Sequence, residues 1–272
     1  MENFYFIWGG VSLDRQDRIM QITEIIQKRK RVSTTDLAHE TFCSISTLRR
    51  DLIYLEKQGL IRRERGEVIL NTFSTIEQNI ILREKQHIQE KKSLAKIARD
   101  FIGPGMCIYL DSSSTVFQLC ELINNIDNLI VVTNGLNVAN ALATNGNSTL
   151  RTFITSGEIQ HNSSSVLNSE FENPIINHFN IDIAFCSASG IDQNSVYESN
   201  MNQAFSKKSI MDKSQETILL IDKSKFFKKS FFKMNTLTQY KVIISDALPA
   251  DPISKVVKEN NIEWISSDYV KI

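Results

Sequence analysis

The feature that most constrains the fold is a series of seven short apolar runs between residues 106 and 265. Runs of this kind are typical of strands buried on both faces of a sheet. They lie at residues 106–110, 129–133, 150–155, 181–186, 217–221, 242–245 and 262–265. Helical patterns separate most of them, at residues 116–123, 136–143, 202–213 and 252–259. This alternation predicts an α/β domain with a mostly parallel sheet covered by helices on both faces.

The preceding residues carry the apolar spacing of three helices and belong to a different class of fold. The first helix is predicted at residues 13–28. Ser33 is placed to cap the second helix, with Asp36 completing a capping-box-like pair. Ser44 is placed to cap the third. The residues predicted to be buried are Ile19, Ile22 and Ile26 in the first helix, Leu37, Ala38 and Phe42 in the second, and Leu48, Leu52 and Leu55 in the third.

Polar and basic residues follow the turn between the second and third helices. A polar, basic first turn on the second helix of such a pair suits reading of the DNA major groove. Arginine binds phosphate or guanine, and small hydroxyl residues allow close approach. The candidate DNA-binding residues of this helix pair are Thr34, Thr35, Ser44, Ser46, Thr47, Arg49 and Arg50.

Residues 60–70 predict two short strands joined at Gly66. Arg62, Arg63 and Arg65 give this hairpin a basic surface. It is either an ordinary solvated hairpin or a wing that touches DNA, and its position directly after the third helix favours the wing. The basic run at residues 28–31 is equally open to two interpretations, a solvated helix end or a patch that contacts phosphates.

The stretch from Ser33 to Gly66 resembles the DeoR-type winged helix-turn-helix. The resemblance is carried by Thr47-Leu48-Arg49-Arg50-Asp51-Leu52 and by Leu55-Glu56-Lys57-Gln58-Gly59. Family wings commonly have two adjacent glycines, whereas here Glu67 follows Gly66. The resemblance implies an α+β DNA-binding domain at residues 13–70. Residues 1–12 are then an extension or an expression remnant, and residues 71–89 a linker that runs into a helix.

Polar side chains follow several of the predicted strands. In open parallel sheets, ligands bind beyond the carboxyl ends of the strands, where hydroxyl and backbone N–H groups can hold a phosphate. Each such loop taken singly could equally be a helix cap. The candidate effector-binding residues are Asp111, Ser112, Ser113, Ser114, Thr115, Thr133, Asn134, Gly135, Ser156, Gly157 and Lys225.

Residues 83–264 resemble the sensor domain that accompanies the DeoR helix-turn-helix. The matching motifs include Leu110-Asp111, the run at residues 131–134, and Asp222-x-Ser224-Lys225-Phe226. The resemblance implies a sugar-phosphate-isomerase-like fold at residues 90–272 that responds to phosphorylated sugars. Ser113, Ser156 and Asn168 stand where the family has glycines. Glycine permits close approach of the backbone to an anion, so these replacements imply a reshaped pocket or weakened phosphate binding.

Composition excludes several classes of protein. Residues 1–75 hold 12 Lys and Arg against 10 Asp and Glu, an asymmetry too mild to establish a nucleic-acid partner alone. The four cysteines are far apart, with no C-x-x-C pair, and neither they nor the four histidines have metal-ligand spacing. No apolar run approaches the roughly 20 residues that span a bilayer. We expect a cytoplasmic protein without membrane partner, metal or cofactor.

The leading hypothesis is a regulator, more specifically a repressor, of a sugar-metabolism operon. Its partners would be double-stranded operator DNA, a small phosphorylated sugar and further copies of itself, since a dyad of helix-turn-helices matches palindromic half-sites. One alternative is a DNA-binding regulator whose second domain serves assembly without a ligand. A sugar-phosphate isomerase is the other, but no complete catalytic constellation is present, and no enzyme activity is expected.

Overall fold

A computed structural model describes residues 14–57, 59–71, 83, 86–160, 164–167 and 174–267. The chain divides into two compact units, residues 1–78 and residues 79–272. Within the described residues, no helix is both long and apolar enough to cross a membrane.

In the part of the first unit that the structure describes, three helices combine with a small antiparallel sheet. The helices are α1 (Arg15–Arg29), α2 (Thr34–Glu40) and α3 (Ile45–Lys57). The strands are β1 (Arg31–Ser33), β2 (Ile61–Glu64) and β3 (Glu67–Leu70), in the order β1-β3-β2. The three helices and the hairpin confirm the sequence prediction, whereas β1 was not predicted because three residues are too few to show a period.

Serine side chains fix the starts of α2 and α3. Ser33 Oγ accepts a hydrogen bond from Asp36 N at 3.0 Å, and Ser44 Oγ accepts one from Thr47 N at 3.2 Å. Each bond satisfies a backbone N–H that has no partner inside the helix. Both caps are those that the sequence predicted.

The core of the first unit follows the predicted apolar spacing at every position but Phe42. The side chains of Ile22, Ile26 and Leu55 are fully buried. Phe42, by contrast, is 77% exposed, and its prediction as a core residue was wrong. The physical reason is that α2 ends at Glu40, so Phe42 lies in the following turn, at a φ of 49°, and helical spacing no longer directs its side chain.

The described residues of the second unit form twelve strands in three sheets. They are β4 (Cys107–Leu110), β5 (Ile130–Thr133), β6 (Arg151–Ile154), β7 (Glu158–Ile159), β8 (Val166–Leu167), β9 (Ile181–Cys186), β10 (Gly190–Ile191), β11 (Val196–Glu198), β12 (Ser214–Leu220), β13 (Phe232–Asn235), β14 (Val242–Ser245) and β15 (Glu263–Ser266). Seven form one sheet in the order β15-β14-β12-β9-β4-β5-β6, and every neighbouring pair is parallel. These seven are the predicted apolar runs.

Helices cover both faces of the seven-stranded sheet. They are α4 (Ile88–Arg99), α5 (Cys120–Ile123), α6 (Leu136–Asn145), α7 (Met201–Met211) and α8 (Ile253–Glu259). Alternate strand residues point to opposite faces. Leu110 and Phe185 therefore pack in one core with α4, α5 and α6, and Tyr109 and Ala184 pack in the other with α7 and α8. The predicted helix at residues 116–123 is a 3₁₀ turn (Val116–Leu119) that continues into α5.

The remaining strands form two small antiparallel sheets, β10-β11-β13 and β7-β8. Neither was predicted, since most of these strands are only two or three residues long. Most of the predicted linker at residues 71–89 lies outside the described residues.

Candidate functional sites

The first turn of α3 carries a cluster of hydroxyl groups. Ser44 Oγ lies 2.9 Å from Ser46 Oγ and 3.0 Å from Thr47 Oγ1. Ser44 and Ser46 are exposed, and Thr47 is half-buried. Small polar side chains at this end of the helix leave room for a partner to approach the backbone.

Arg49 and Arg50 are exposed on α3, whereas the next residue, Asp51, is buried. Asp51 accepts hydrogen bonds from Arg18 Nε at 2.7 Å and from Arg15 Nε at 3.3 Å. These bonds fix α3 against α1. Among the described residues, neither Arg49 nor Arg50 has an ion-pair partner, so both guanidinium groups remain available to an anion.

The three hairpin arginines differ in their surroundings. Arg63 donates to Glu56 Oε2 from Nε at 2.8 Å and from a terminal nitrogen at 2.6 Å. The hydrogen bond from Arg63 lowers the pKa of Glu56, although slight burial opposes it. Arg62 makes an exposed ion pair with Glu64, at 3.4 Å. Arg65 is exposed at the tip, so Arg62 and Arg65 are the hairpin cations that a partner can reach.

Thr34 connects the start of α2 to the tip of the hairpin. Its N–H and its hydroxyl both donate to the carbonyl oxygen of Gly66, at 2.9 and 3.0 Å. Thr35 is exposed beside it. A groove between α3 and the hairpin is lined by Thr34, Arg49 and Arg65, among others. Glu64 and Glu67 also line the groove. The exposed arginines and hydroxyl groups of this surface are nevertheless the groups that proteins use to bind nucleic acid.

In the second unit, the loop after β4 is organised by Asp111. Its Oδ1 accepts a hydrogen bond from Ser113 N, and its Oδ2 accepts one from Ser187 N, both at 2.9 Å. Lys207 Nζ lies 2.9 Å from the same Oδ2. Both carboxylate oxygens are thus bound by groups of the protein, and Asp111 positions the loop of Ser112, Ser113, Ser114 and Thr115.

Lys207 lies at the centre of a buried charge cluster. Its ammonium pairs with Asp111 and with Glu198 Oε1, 2.5 Å away, and donates to the Ser187 carbonyl at 2.6 Å. Burial by itself would lower the pKa of Lys207, but the carboxylates of Asp111 and Glu198 outweigh it and raise the pKa well above its usual value. The side chain is charged at neutral pH and holds β4, β9, β11 and α7 together.

The turn after β5 lies against the Asp111 loop. Thr133 Oγ1 donates to the Leu110 carbonyl at 2.7 Å and accepts from Gly135 N at 2.9 Å. A Cβ at Gly135 would lie only 3.1 Å from the Cα of Ser112. Asn134 Oδ1 accepts a hydrogen bond from the Tyr109 hydroxyl at 2.8 Å.

Lys225 follows β12 and reaches the same edge of the sheet. Its Nζ lies 3.3 Å from Ser187 Oγ and 3.8 Å from Asp222 Oδ2. Burial lowers the pKa of Lys225, and nearby Lys207 and Arg83 add to the effect, while Asp222 and Glu198 oppose it.

Lys91, on α4, is a further buried cation at this edge. Its Nζ donates to Ser114 Oγ at 3.0 Å and also to the Arg83 carbonyl. Burial would raise the pKa of Asp222, but Lys225, Ser224, His87 and Lys91 together lower it. The strand ends thus bring the ammonium groups of Lys91, Lys207 and Lys225 close to the buried carboxylates of Asp111, Glu198 and Asp222.

Three buried atoms at this edge have no hydrogen-bond partner among the residues that the structure describes. They are Thr115 Oγ1, Asn134 Nδ2 and Asp222 Oδ2. Their residues follow β4, β5 and β12, whose carboxyl ends share one edge of the parallel sheet. A buried polar group without a partner is costly and is commonly satisfied by water or a ligand. We define Thr115, Asn134, Asp222 and Lys225 as the strand-end site.

The other predicted effector residues have different surroundings. Ser156 and Gly157 are exposed after β6, the edge strand, and β5 separates them from the Asp111 loop. Ser113, which replaces an expected glycine, accepts a hydrogen bond from Val116 N at 3.2 Å and so shapes its own loop. Asn168 lies outside the described residues.

Sequence reasoning missed Lys91, Glu198 and Lys207. Lys91 and Lys207 stand at buried positions of amphipathic helices, three residues before Leu94 and Ile210. A lysine on the apolar face of a helix is a signal that could have been noticed. The partners of these lysines come from distant parts of the chain, and no local pattern contains them.

Comparison with known proteins gives consistent matches over nearly the whole chain. The DeoR-like helix-turn-helix domain matches residues 18–73, and the DeoR C terminal sensor domain matches residues 86–247. A lactose phosphotransferase system repressor of Streptococcus mutans is 30% identical over 91% of this chain and 98% of its own length. A glycerol-3-phosphate regulon repressor of Escherichia coli is 28% identical over 89% of this chain and 95% of its own length.

Solved structures give only distant matches. A ribose 5-phosphate isomerase of Methanocaldococcus jannaschii is 16% identical, with 51% of this chain and 54% of the other covered and a TM-score of 0.37. Similarity at this level is not evidence of shared activity.

Proposed function

Because this chain belongs to the DeoR family of transcription regulators, we propose that it represses a sugar-metabolism operon and is released from DNA by a phosphorylated sugar. The DNA-binding domain would comprise residues 13–70, the linker residues 71–89 and the sensor domain residues 90–272. The observation that carries the proposal is the pair of exposed arginines on α3, which have no ion-pair partner among the described residues, on a helix that the buried Asp51 fixes to α1.

On DNA, α3 enters the major groove with its first turn toward the bases. Arg49 and Arg50 contact phosphate or guanine, and Ser46 and Thr47 allow close approach and donate hydrogen bonds. Arg62 and Arg65 on the hairpin contact the phosphate backbone, where their charge adds affinity without sequence preference. Arg63 serves a different purpose, since its guanidinium already binds Glu56.

The effector binds at the strand-end site, with its anionic group near Lys225. Thr115 Oγ1 and Asn134 Nδ2 supply hydrogen bonds to phosphate or sugar oxygens, and Asp222 Oδ2 accepts one from a sugar hydroxyl. The buried ammonium of Lys91 adds to the positive potential. A phosphorylated sugar matches this combination of cations and uncharged polar groups, and the names of the lactose and glycerol-3-phosphate relatives support that class.

The regulator acts as a homo-oligomer, because two helix-turn-helices related by a dyad match palindromic half-sites. An effector that binds one arrangement of the oligomer more tightly shifts the population toward that arrangement. When the favoured arrangement is the one that does not fit the operator, the affinity for operator DNA falls.

Catalysis is not part of this proposal. An isomerase needs a positioned base beside the substrate carbonyl, and both oxygens of Asp111 are already bound by backbone N–H groups and Lys207. A sensor domain that serves only assembly remains the competing function. It is favoured by Ser113, whose side chain stands in a loop where the family has glycine.

One experiment tests both halves of the proposal. Duplexes are selected from a random pool by the purified protein, and the affinity for the selected duplex is then measured with and without each of a panel of sugar phosphates. Unphosphorylated sugars and inorganic phosphate serve as controls. A fall in affinity with one sugar phosphate alone is the expected result. If the protein selects a duplex, but no sugar phosphate changes its affinity or gives a heat of binding in calorimetry, the second domain serves assembly without a ligand.

A further inference from the structure

Ile45, the first residue of α3, is 56% exposed. Leu48, Leu52 and Leu55 form the buried face of this helix, and Ile45 adds nothing to that core. A single exposed hydrophobic side chain is ordinary on a protein surface. The position of Ile45 is less ordinary, because Ser44 and Ser46 flank it at the end of α3 that is proposed to face DNA.

The groove between α3 and the hairpin gives Ile45 a specific environment. Ile45 lines it together with Thr34, Arg49 and Arg65. The other charged residues of the lining are Arg63, Glu64 and Glu67, which pair with Glu56, Arg62 and Arg31 respectively. Arg49 and Arg65 are exposed, and among the described residues neither has an ion-pair partner. An apolar contact beside two cations that have no ion-pair partner among the described residues suits a polyanion that carries a small apolar group.

The C5-methyl of thymine is such a group. Among the base edges in the major groove, thymine alone presents a methyl. The N-terminal residues of a recognition helix are those that contact base edges. We infer that Ile45 packs against the methyl group of an operator thymine and thereby contributes to sequence specificity. This inference rests on the proposed binding of DNA by α3.

The position of the thymine follows from helix geometry. Ile45 and Arg49 are four residues apart and share a face of α3, separated by about 6 Å along the helix axis. Stacked base pairs are about 3.4 Å apart. The thymine should therefore lie within about two base pairs of the base or phosphate that Arg49 contacts.

The test removes the methyl from the DNA and the side chain from the protein. A duplex selected by the wild-type protein is synthesised with each thymine replaced in turn by deoxyuridine, which lacks only the methyl. Burial of one such group contributes about 0.8 kcal/mol, equivalent to about a fourfold change in affinity. Wild-type protein should lose about fourfold at one thymine of each half-site. Ile45→Ala should bind the thymine duplex more weakly and lose nothing further on the uracil duplex.

Ile53→Ala is the matched control. Ile53 is 37% exposed on the same helix, about 12 Å farther along its axis, and does not line the groove. This variant should keep the full response to uracil, and thermal melting should show all three proteins folded. The inference is overturned if uracil weakens the wild type at no position, or if Ile45→Ala keeps the wild-type response. If the wild type selects no duplex at all, the proposed function fails together with it.

Discussion

The ammonium of Lys207 lies 2.9 Å from the carboxylate of Asp111, and both side chains are almost completely buried. Glu198 completes the cluster on the other side of Lys207. One cation between two carboxylates is stable in a protein interior only while every member keeps its partner. The cluster therefore ties α7 to the loop on which the strand-end site depends.

Lys207→Met should destabilise the protein by about 3–5 kcal/mol, because it leaves two buried carboxylates without a countercharge. Denaturant unfolding of the full chain measures this loss. The raised pKa of Lys207 also predicts a pH dependence. Its stabilising contribution is complete below the unfolded-state pKa of about 10.4 and is lost as the pH rises through the folded-state value.

Lys208→Met is the matched control for this variant. Lys208 is the next residue of α7, and its ion pair with Asp212, at 3.5 Å, is exposed on both sides. Exposed pairs at this spacing contribute about 0.3–0.5 kcal/mol. If both variants cost the same, the cluster is not the element that stabilises this part of the fold.

The sheet could be predicted from sequence because strands buried on both faces are continuous apolar runs. In the structure, Leu110 pairs with Thr133 on one side and with Phe185 on the other. Its apolar run is therefore a strand with neighbours on both sides, as predicted. The short strands β7 and β10 could not be predicted, since pairing with distant segments, and not a local period, makes them strands. The prediction that Phe42 is buried was wrong for a related reason. It assumed that helical spacing continues to Phe42, whereas α2 ends at Glu40.

The candidate sites also divide into residues that a local sequence pattern reveals and residues that only the tertiary fold brings together. Arg49 and Arg50 were identified because a helix-turn-helix has a local signature. The strand-end site was found only in part: Thr115, Asn134 and Lys225 were among the candidates. Asp222 was not, although it stands in one of the family motifs. Lys207, which fixes the neighbouring Asp111 loop, was missed because its partners Asp111 and Glu198 reach it only through the tertiary fold.

Arg50→Ala should weaken operator binding by at least about 1 kcal/mol, roughly fivefold, because it removes one contact to base or phosphate. The free energy of unfolding should stay nearly unchanged, since the side chain is exposed. Fluorescence anisotropy with the selected duplex measures the affinity. Intact binding by this variant would mean that α3 is not the recognition helix.

The hairpin arginines should separate into two classes in a salt titration. Each phosphate contact contributes about 0.9 to the slope of log affinity against log salt. Arg65→Ala should reduce that slope by about 0.9, because Arg65 is exposed at the hairpin tip and has no ion-pair partner in the part of the chain that the structure describes. Arg63→Ala should leave the slope nearly unchanged and cost less than about 1 kcal/mol of stability, since it loses only its partly exposed pair with Glu56. Equal slopes for the two variants would contradict this assignment.

Lys225→Gln should weaken binding of the sugar phosphate by about tenfold or more, since a hydrogen bond to a charged group contributes about 1.5–3 kcal/mol. The lowered pKa of Lys225 adds a pH dependence to the wild-type protein. Only the protonated amine attracts the anion, so affinity should fall as the pH rises through a pKa lower than that of an exposed lysine. Calorimetry at a pH near that pKa, in buffers of different ionisation enthalpy, should detect proton uptake on binding.

Lys223→Gln supplies the comparison that isolates this effect, because Lys223 is exposed two residues earlier in the same turn. Removal of its charge changes the overall potential slightly, yet leaves the contacts of Lys225 with Ser187 and Asp222 in place. Lys223→Gln should therefore keep both the affinity and its pH dependence, whereas Lys225→Gln should lose both. If Lys225→Gln binds the sugar phosphate with the wild-type pH profile, another cation holds the anionic group, and Lys91 becomes the residue to vary.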